Sequence, residues 1–136
     1  MEIAIVLYPE LTALDAMGPY AVLSQLPGSQ VVLCAETPGR ITDDNGILHI
    51  EVETALADIP DPDVLVVPGG TVTRRMAHAG HPVVEWVRGA HPGTTFTTSV
   101  CTGALLLGAA GVLEGLTATT HWCAYDELAS FGAEPT

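Results

Sequence analysis

The apolar positions of this chain fall into short runs separated by turn-rich and amphipathic stretches. Residues Glu2–Tyr8 (EIAIVLY) form a nearly continuous apolar run with several β-branched residues, closed by Pro9. Such a run predicts a strand buried on both faces. The signal returns at Gln30–Ala35 (QVVLCA), Asp63–Val67 (DVLVV) and Thr94–Val100 (TTFTTSV), and more briefly at Leu116–Thr120. Between these runs the period lengthens. Leu14, Met17, Ala21 and Leu26 lie roughly on one helical face, and Gly18-Pro19 interrupts the pattern, so the first helix is predicted to begin near Pro19. Val72–Gly89 predicts one or two helices broken near Gly80–Pro82; Thr102–Ala110 and Cys123–Phe131 predict two more. Two β-like segments within Arg40–Val52 flank Asp44-Asn45-Gly46, a hairpin turn signal that marks an excursion and not a core crossover.

Strands alternating with helices predict βαβ units and a mainly parallel sheet, an α/β fold. A chain of 136 residues suits one domain, residues 1–136. In such sheets ligands gather at the carboxyl ends of the strands. Three stretches fall there: Pro9–Asp15, Pro68–Gly70 and Ser99–Gly103.

Composition narrows the classes of function. Hydrophobic residues make up 48% and charged residues 15%, which leaves ample core material and excludes disorder for the body of the chain. Sixteen acidic residues face four arginines and no lysine, a formal charge of −12. That balance opposes contact with nucleic acid and with anionic membrane surfaces, and predicts a solvated acidic exterior. The start carries an acid where a secretory signal carries basic residues, and no stretch approaches the roughly 20 apolar residues of a membrane helix. Three cysteines, Cys34, Cys101 and Cys123, show no disulfide-like spacing. The expectation is a reduced, cytoplasmic protein.

The strongest chemical signal is Ser99-Val100-Cys101-Thr102-Gly103. A strand ends, one cysteine follows, and a small-residue helix starts at once. This is the pattern of a nucleophile elbow, where a sharp turn lifts the nucleophile above the sheet and small flanking residues relieve the crowding of strand against helix. Unpaired N–H groups at a helix start favour an anion, so the Cys101 thiol is predicted to lie below its ordinary pKa. The competing reading is a small buried hydrophobe, which also fits Cys34 in mid-strand. Cys123 follows His121-Trp122, but a lone H-x-C lacks the second pair a metal site needs, and no metal is expected. A nucleophile needs a proton partner, and the candidates are Asp15, Glu36, His78, His81, His91 and His121. Asp15 stands out for its apolar setting, LTALDAMGPY; its alternative role is a helix cap near Gly18-Pro19. His121 follows a strand end that points to the same face, with a core histidine as its alternative. Gly69 and Gly70 let backbone N–H groups approach a ligand, as an oxyanion site or as a plain turn.

Four segments in order, IAIVLYPELTALDAMGPY, DVLVVPGG, TTSVCTGALLLGAAGVLEG and ATTHW, resemble the ThiJ/PfpI superfamily, relatives of the class I glutamine amidotransferases. They run from Ile3 to Trp122. LDAMGPY, SVCTGALLLGAAGVLEG and TTHW are most similar to the isonitrile hydratase branch. The resemblance implies a flavodoxin-like three-layer sandwich, a homodimer acting on a small molecule, and no metal or organic cofactor. It places the nucleophile on Cys101, the essential acid on Asp15, an assisting hydroxyl on Thr102, and the backbone of Gly70 against the substrate. Thr102 stands where the PfpI-type peptidases carry histidine, and Asp15 where the glyoxalase and deglycase branch carries glutamate. The implied reaction is hydration of an isonitrile to an N-substituted formamide. The same fold also serves as the sensing half of AraC-type regulators and as redox-sensitive stress proteins whose nucleophile oxidises. Domains of the superfamily continue past the helix after TTHW with a further strand and a closing helix, so the chain is expected to be a portion of a longer one.

Overall fold

A computed structural model describes the backbone of residues 1–136 and every side chain except those of His78 and Ala79. At its centre lies β1 (Glu2–Leu7), parallel to β2 (Gln30–Ala35) from Glu2↔Gln30 to Leu7↔Ala35. On its other side runs β6 (Val64–Val67), which in turn pairs with β7 (Phe96–Ser99). The short β5 (Thr54–Ala55) extends the far edge beyond β2. The order β5-β2-β1-β6-β7 is wholly parallel. Ile3–Leu7 have no exposed surface, as the continuous apolar run of β1 requires of a strand covered on both faces.

The chain steps from β1 one way to β2 and the other way to β6 and β7. Right-handed crossovers therefore put the connecting helices on opposite faces. α1 (Ala13–Leu23) covers one face. α2 (Thr73–Ala79), α3 (Pro82–Ala90) and α4 (Ala104–Ala109) pack together on the other, completing the three layers. α2 and α3 part at Gly80, whose φ of +64° sets a left-handed cap. Outside the sheet, β3 (Gly39–Thr42) and β4 (His49–Val52) form the predicted hairpin around Asp44-Asn45-Gly46. The last stretch holds β8 (Thr117–Ala118), α5 (Tyr125–Ser130) and β9 (Glu134–Pro135), with β8 and β9 paired in parallel. On the α1 face, beside that helix, Ile3, Leu23, Val64, Val66 and Phe96 line an apolar groove, and Phe96 is 60% exposed.

One boundary differs from the sequence expectation in a way that matters. α1 starts at Ala13, not near Pro19, and carries Pro19 inside it. A proline normally forces its predecessor out of the helix by a clash with the preceding Cβ. Here the predecessor is Gly18, which has none. Asp15 therefore sits in the first turn of α1, not at a cap; the cap position is Thr12.

Candidate active site

The chain turns sharply at the end of β7. Val100 is still extended, Cys101 adopts φ +55°, and Cys101–Gly103 make one 3-10 turn that leads into α4. A left-handed backbone is costly for a residue with a side chain and persists only where the surroundings enforce it. The enforcement is backbone on backbone. Val100 N–H donates to the Val67 carbonyl at 2.9 Å, and Gly103 N–H to the Val100 carbonyl at 3.0 Å. A Cβ on Gly103 would lie 2.1 Å from the Val67 oxygen and 2.7 Å from that of Pro68, so glycine alone lets helix and strand meet here. The Thr120 hydroxyl donates to the Cys101 carbonyl at 3.0 Å. The thiol is left partly exposed.

Three strand ends converge on it. Asp15, 8% exposed, reaches from α1 past the end of β1, and its carboxyl lies beside the Cys101 side chain. From the end of β6, Gly69 N–H donates to Asp15 Oδ2 at 3.2 Å. Thr102 follows the cysteine, and its backbone N–H and hydroxyl both favour charge on the Cys101 sulfur. That hydroxyl also accepts the Gly70 N–H at 3.1 Å and stands 3.2 Å from the Gly70 carbonyl. The two glycines are sterically required. A Cβ on Gly69 would fall 2.8 Å from both Asp15 Oδ2 and Thr102 N; one on Gly70 would fall 2.6 Å from the Glu10 carbonyl.

Both glycine amides are therefore already engaged, Gly69 by Asp15 and Gly70 by Thr102. The expectation that they form an open oxyanion site is revised: they brace the carboxyl and the hydroxyl that serve Cys101. Gly70 does line the pocket in front of the thiol, while Gly69 and Asp15 are not among its lining residues. A residue the sequence reading missed is Tyr8. Its buried hydroxyl donates to the Pro68 carbonyl, pinning the turn that carries Gly69. Burial, then the charges of Asp15 and Cys101, push its phenol far above the usual range. Its signal was a tyrosine closing a fully apolar strand, since a buried phenol must find a partner.

The predicted lowering of the Cys101 thiol is also overturned. Burial pushes it up; the Thr102 N–H pulls it down, the neighbouring Asp15 charge and hydrogen bond push it up, and the Thr102 hydroxyl pulls it down. Desolvation and a carboxylate neighbour outweigh the helix-start N–H groups. At rest the proton sits on sulfur.

The pocket before Cys101 is shallow, about 160 Å³, and open. His121 and Cys123 line it with Thr12, Thr71 and Arg74. His121 is neither a core residue nor bonded to Cys101; its Nδ1 lies 2.9 Å from Cys123 Sγ. Among the other candidates, Glu36 and His81 line a separate cavity of about 380 Å³ and stand 3.8 Å apart. His91 bonds Thr97 at 2.8 Å. His78 lies outside the described side chains. No cluster of three potential metal ligands occurs among the described residues. No described helix is long and apolar enough to cross a membrane.

This arrangement has known counterparts. Residues 1–135 match the DJ-1/PfpI family. The chain belongs to that family. Isonitrile hydratase of Pseudomonas putida is 38% identical over 135 residues, covering 99% of this chain and 58% of that enzyme. An uncharacterized protein from the cpoL 5′ region of Streptomyces lividans is 30% identical over 129 residues, covering 89% of this chain and 87% of that protein. Among solved structures, a ThiJ/PfpI family protein from Pseudomonas syringae superposes with a TM-score of 0.91 at 36% identity, over 99% of this chain and 56% of that one. DJ-1beta of Drosophila melanogaster shares the fold, with a TM-score of 0.85 at 19% identity over 99% of this chain and 73% of its own. This DJ-1/PfpI chain thus spans little more than half the length of the isonitrile hydratase it matches.

Proposed function

We propose that this chain carries the reaction centre of a cysteine-dependent isonitrile hydratase, with Cys101 as nucleophile, Asp15 as proton carrier and Thr102 as assisting hydroxyl. The observation that carries the reading is the Cys101 thiol, held in a left-handed turn at the pocket with the Asp15 carboxyl and Thr102 beside it. The 38% identity to the Pseudomonas putida enzyme supplies the substrate class.

The terminal carbon of an isonitrile is attacked by sulfur. As the C–S bond forms, the thiol proton passes to the Asp15 carboxylate and from there to that carbon, giving a thioimidate. One proton shared by the pair suffices. Gly69 N–H fixes Oδ2, so Asp15 keeps its aim through both transfers. The Thr102 N–H and hydroxyl steady the sulfur while it carries charge. Water then adds to the thioimidate carbon, the C–S bond breaks, and the formamide leaves as Cys101 recovers its proton. Gly70 and His121 line the pocket and would contact the substrate's substituent.

The test is turnover of cyclohexyl isocyanide by the wild-type protein and by Cys101→Ala, with the formamide quantified by chromatography. Wild type is expected to form N-cyclohexylformamide, and Cys101→Ala to form none above the uncatalysed rate. Absence of product from folded wild type would discard the substrate assignment.

A further inference from the structure

The pocket before Cys101 holds a second thiol. Cys123 lines it from the opposite segment, in the exposed turn Trp122–Ala124 that precedes α5. His121 Nδ1 lies 2.9 Å from the Cys123 sulfur and accepts the Cys123 backbone N–H at 3.3 Å. A peptide N–H only donates, so Nδ1 is the unprotonated ring nitrogen, a base aimed at the thiol. On the other side Arg74 Nη2 stands 3.6 Å from the sulfur and 3.1 Å from the Cys123 carbonyl, while its Nε is anchored on Glu127 at 2.5 Å. An exposed thiol with a ring nitrogen and a fixed cation on its sulfur is placed to give up its proton as the sulfur attacks. Cys101 is its converse, half-sheltered with the Asp15 carboxyl beside it. The two segments are also tied together, because Thr120, three residues before Cys123, donates its hydroxyl to the carbonyl of Cys101 itself.

We infer that Cys123 is a peroxide-reactive thiol and that Cys101 resolves it, closing an intramolecular Cys101–Cys123 disulfide that reversibly shuts the site. The inference concerns sulfur chemistry at this pocket and does not depend on the isonitrile reading. In the first step Cys123 sulfur attacks a hydroperoxide. The O–O bond breaks, sulfur loses two electrons to become a sulfenic acid, and the thiol proton, taken by His121, leaves with the departing oxygen as alcohol or water. In the second step Cys101 sulfur attacks the Cys123 sulfenyl sulfur. The S–O bond breaks, and hydroxide leaves with the Cys101 proton as water. For the bond to close, the turn must release its Cys123 carbonyl from Arg74 and bring the two sulfurs to the ~2 Å of a disulfide bond. A dithiol supplies the two electrons that reopen the site.

The experiment treats the protein with one equivalent of hydrogen peroxide and maps cysteines by mass spectrometry without reduction. Wild type is expected to become two hydrogens lighter, with the Cys101 and Cys123 peptides joined, and dithiothreitol should restore iodoacetamide labelling of Cys101. In Cys101→Ala a dimedone-trapped sulfenic acid should accumulate on Cys123. His121→Asn, which removes the base, should slow disulfide formation about tenfold or more. Cys34, buried in β2, reports whether each variant is folded by staying unlabelled. Oxidation of Cys101 while Cys123 stays reduced would overturn the inference. So would Cys123-linked dimers in place of the internal bond.

Discussion

Cys34 and Cys101 sit on the same sheet and both have thiols pushed above their ordinary value, yet they are different kinds of residue. Cys34 lies within β2, between Val6 of β1 and Thr54 of β5. It is fully buried, and its thiol donates to the Ile5 carbonyl at 3.7 Å. Burial, with a smaller push from Glu2, raises it to about 12. Nothing there moves a proton. Cys101 lies one turn beyond its strand, on a backbone that only its surroundings make tenable, with a carboxyl and a hydroxyl on the sulfur. Residue type and a raised thiol are common to both. What separates the filler from the proposed nucleophile is the backbone that delivers the sulfur to a pocket, and the carboxyl beside it.

The sharpest way to break that contrast is to remove the backbone device. Gly103→Ala puts a methyl against two carbonyl oxygens that belong to the β6 end and cannot yield as a side chain would. The expected loss is more than about 4 kcal/mol, read by urea denaturation, or failure to fold. A loss under about 1 kcal/mol would show that the elbow relaxes and that glycine is not what holds it.

Next is the proton partner. Asp15→Asn removes the charge that pushes the Cys101 thiol up, so the thiol should fall. Iodoacetamide labelling of Cys101 at neutral pH should then speed up, while isonitrile turnover drops by about 10²–10⁴-fold. The opposed signs are the point. If labelling and turnover fall together, Asp15 is merely holding the turn in shape.

The smallest effect belongs to Cys34. Its folded thiol is raised above the unfolded one, so the unfolded chain loses this proton first as pH climbs. The stability it contributes is whole below pH 9.0 and is lost on the way to about 12. At pH 11 the loss amounts to roughly 2–3 kcal/mol. Denaturant midpoints from pH 8 to pH 11 should fall more steeply for wild type than for Cys34→Ala. Parallel curves would refute a buried neutral thiol at this position.

Much of this could be read from the chain itself. The apolar runs of β1, β2, β6 and β7 were plain because strands buried on both faces have no polar alternation to blur them. The hairpin was plain because Asp44-Asn45-Gly46 has few other uses. Cys101 and Asp15 stood out by context and by family resemblance. What stayed hidden is tertiary. Pro19 read as a helix start because its tolerance depends on Gly18 and on the packing of the first turn. The Gly69 and Gly70 amides read as free because their partners, Asp15 and Thr102, come from distant segments. The thiol was expected low because the helix-start effect is local and visible, whereas burial and the carboxylate beside it arise only on folding. β8 fell inside the predicted Leu116–Thr120 run, whereas β5 and β9 were missed for want of length: two residues carry no period.

The centre of the sheet has a kinetic corollary. Asp15, Gly69 and Cys101 follow β1, β6 and β7, which are neighbours in space and far apart in the chain. No fragment with local order alone can bring the acid to the thiol. The pairing of β7 onto β6 is what brings Cys101 up to Asp15 and closes the elbow against the Val67 carbonyl. Loop-closure entropy makes such pairings slow. The arrangement is thus a property of the finished sheet, and a chain that has collapsed without completing it carries an ordinary, unassisted cysteine.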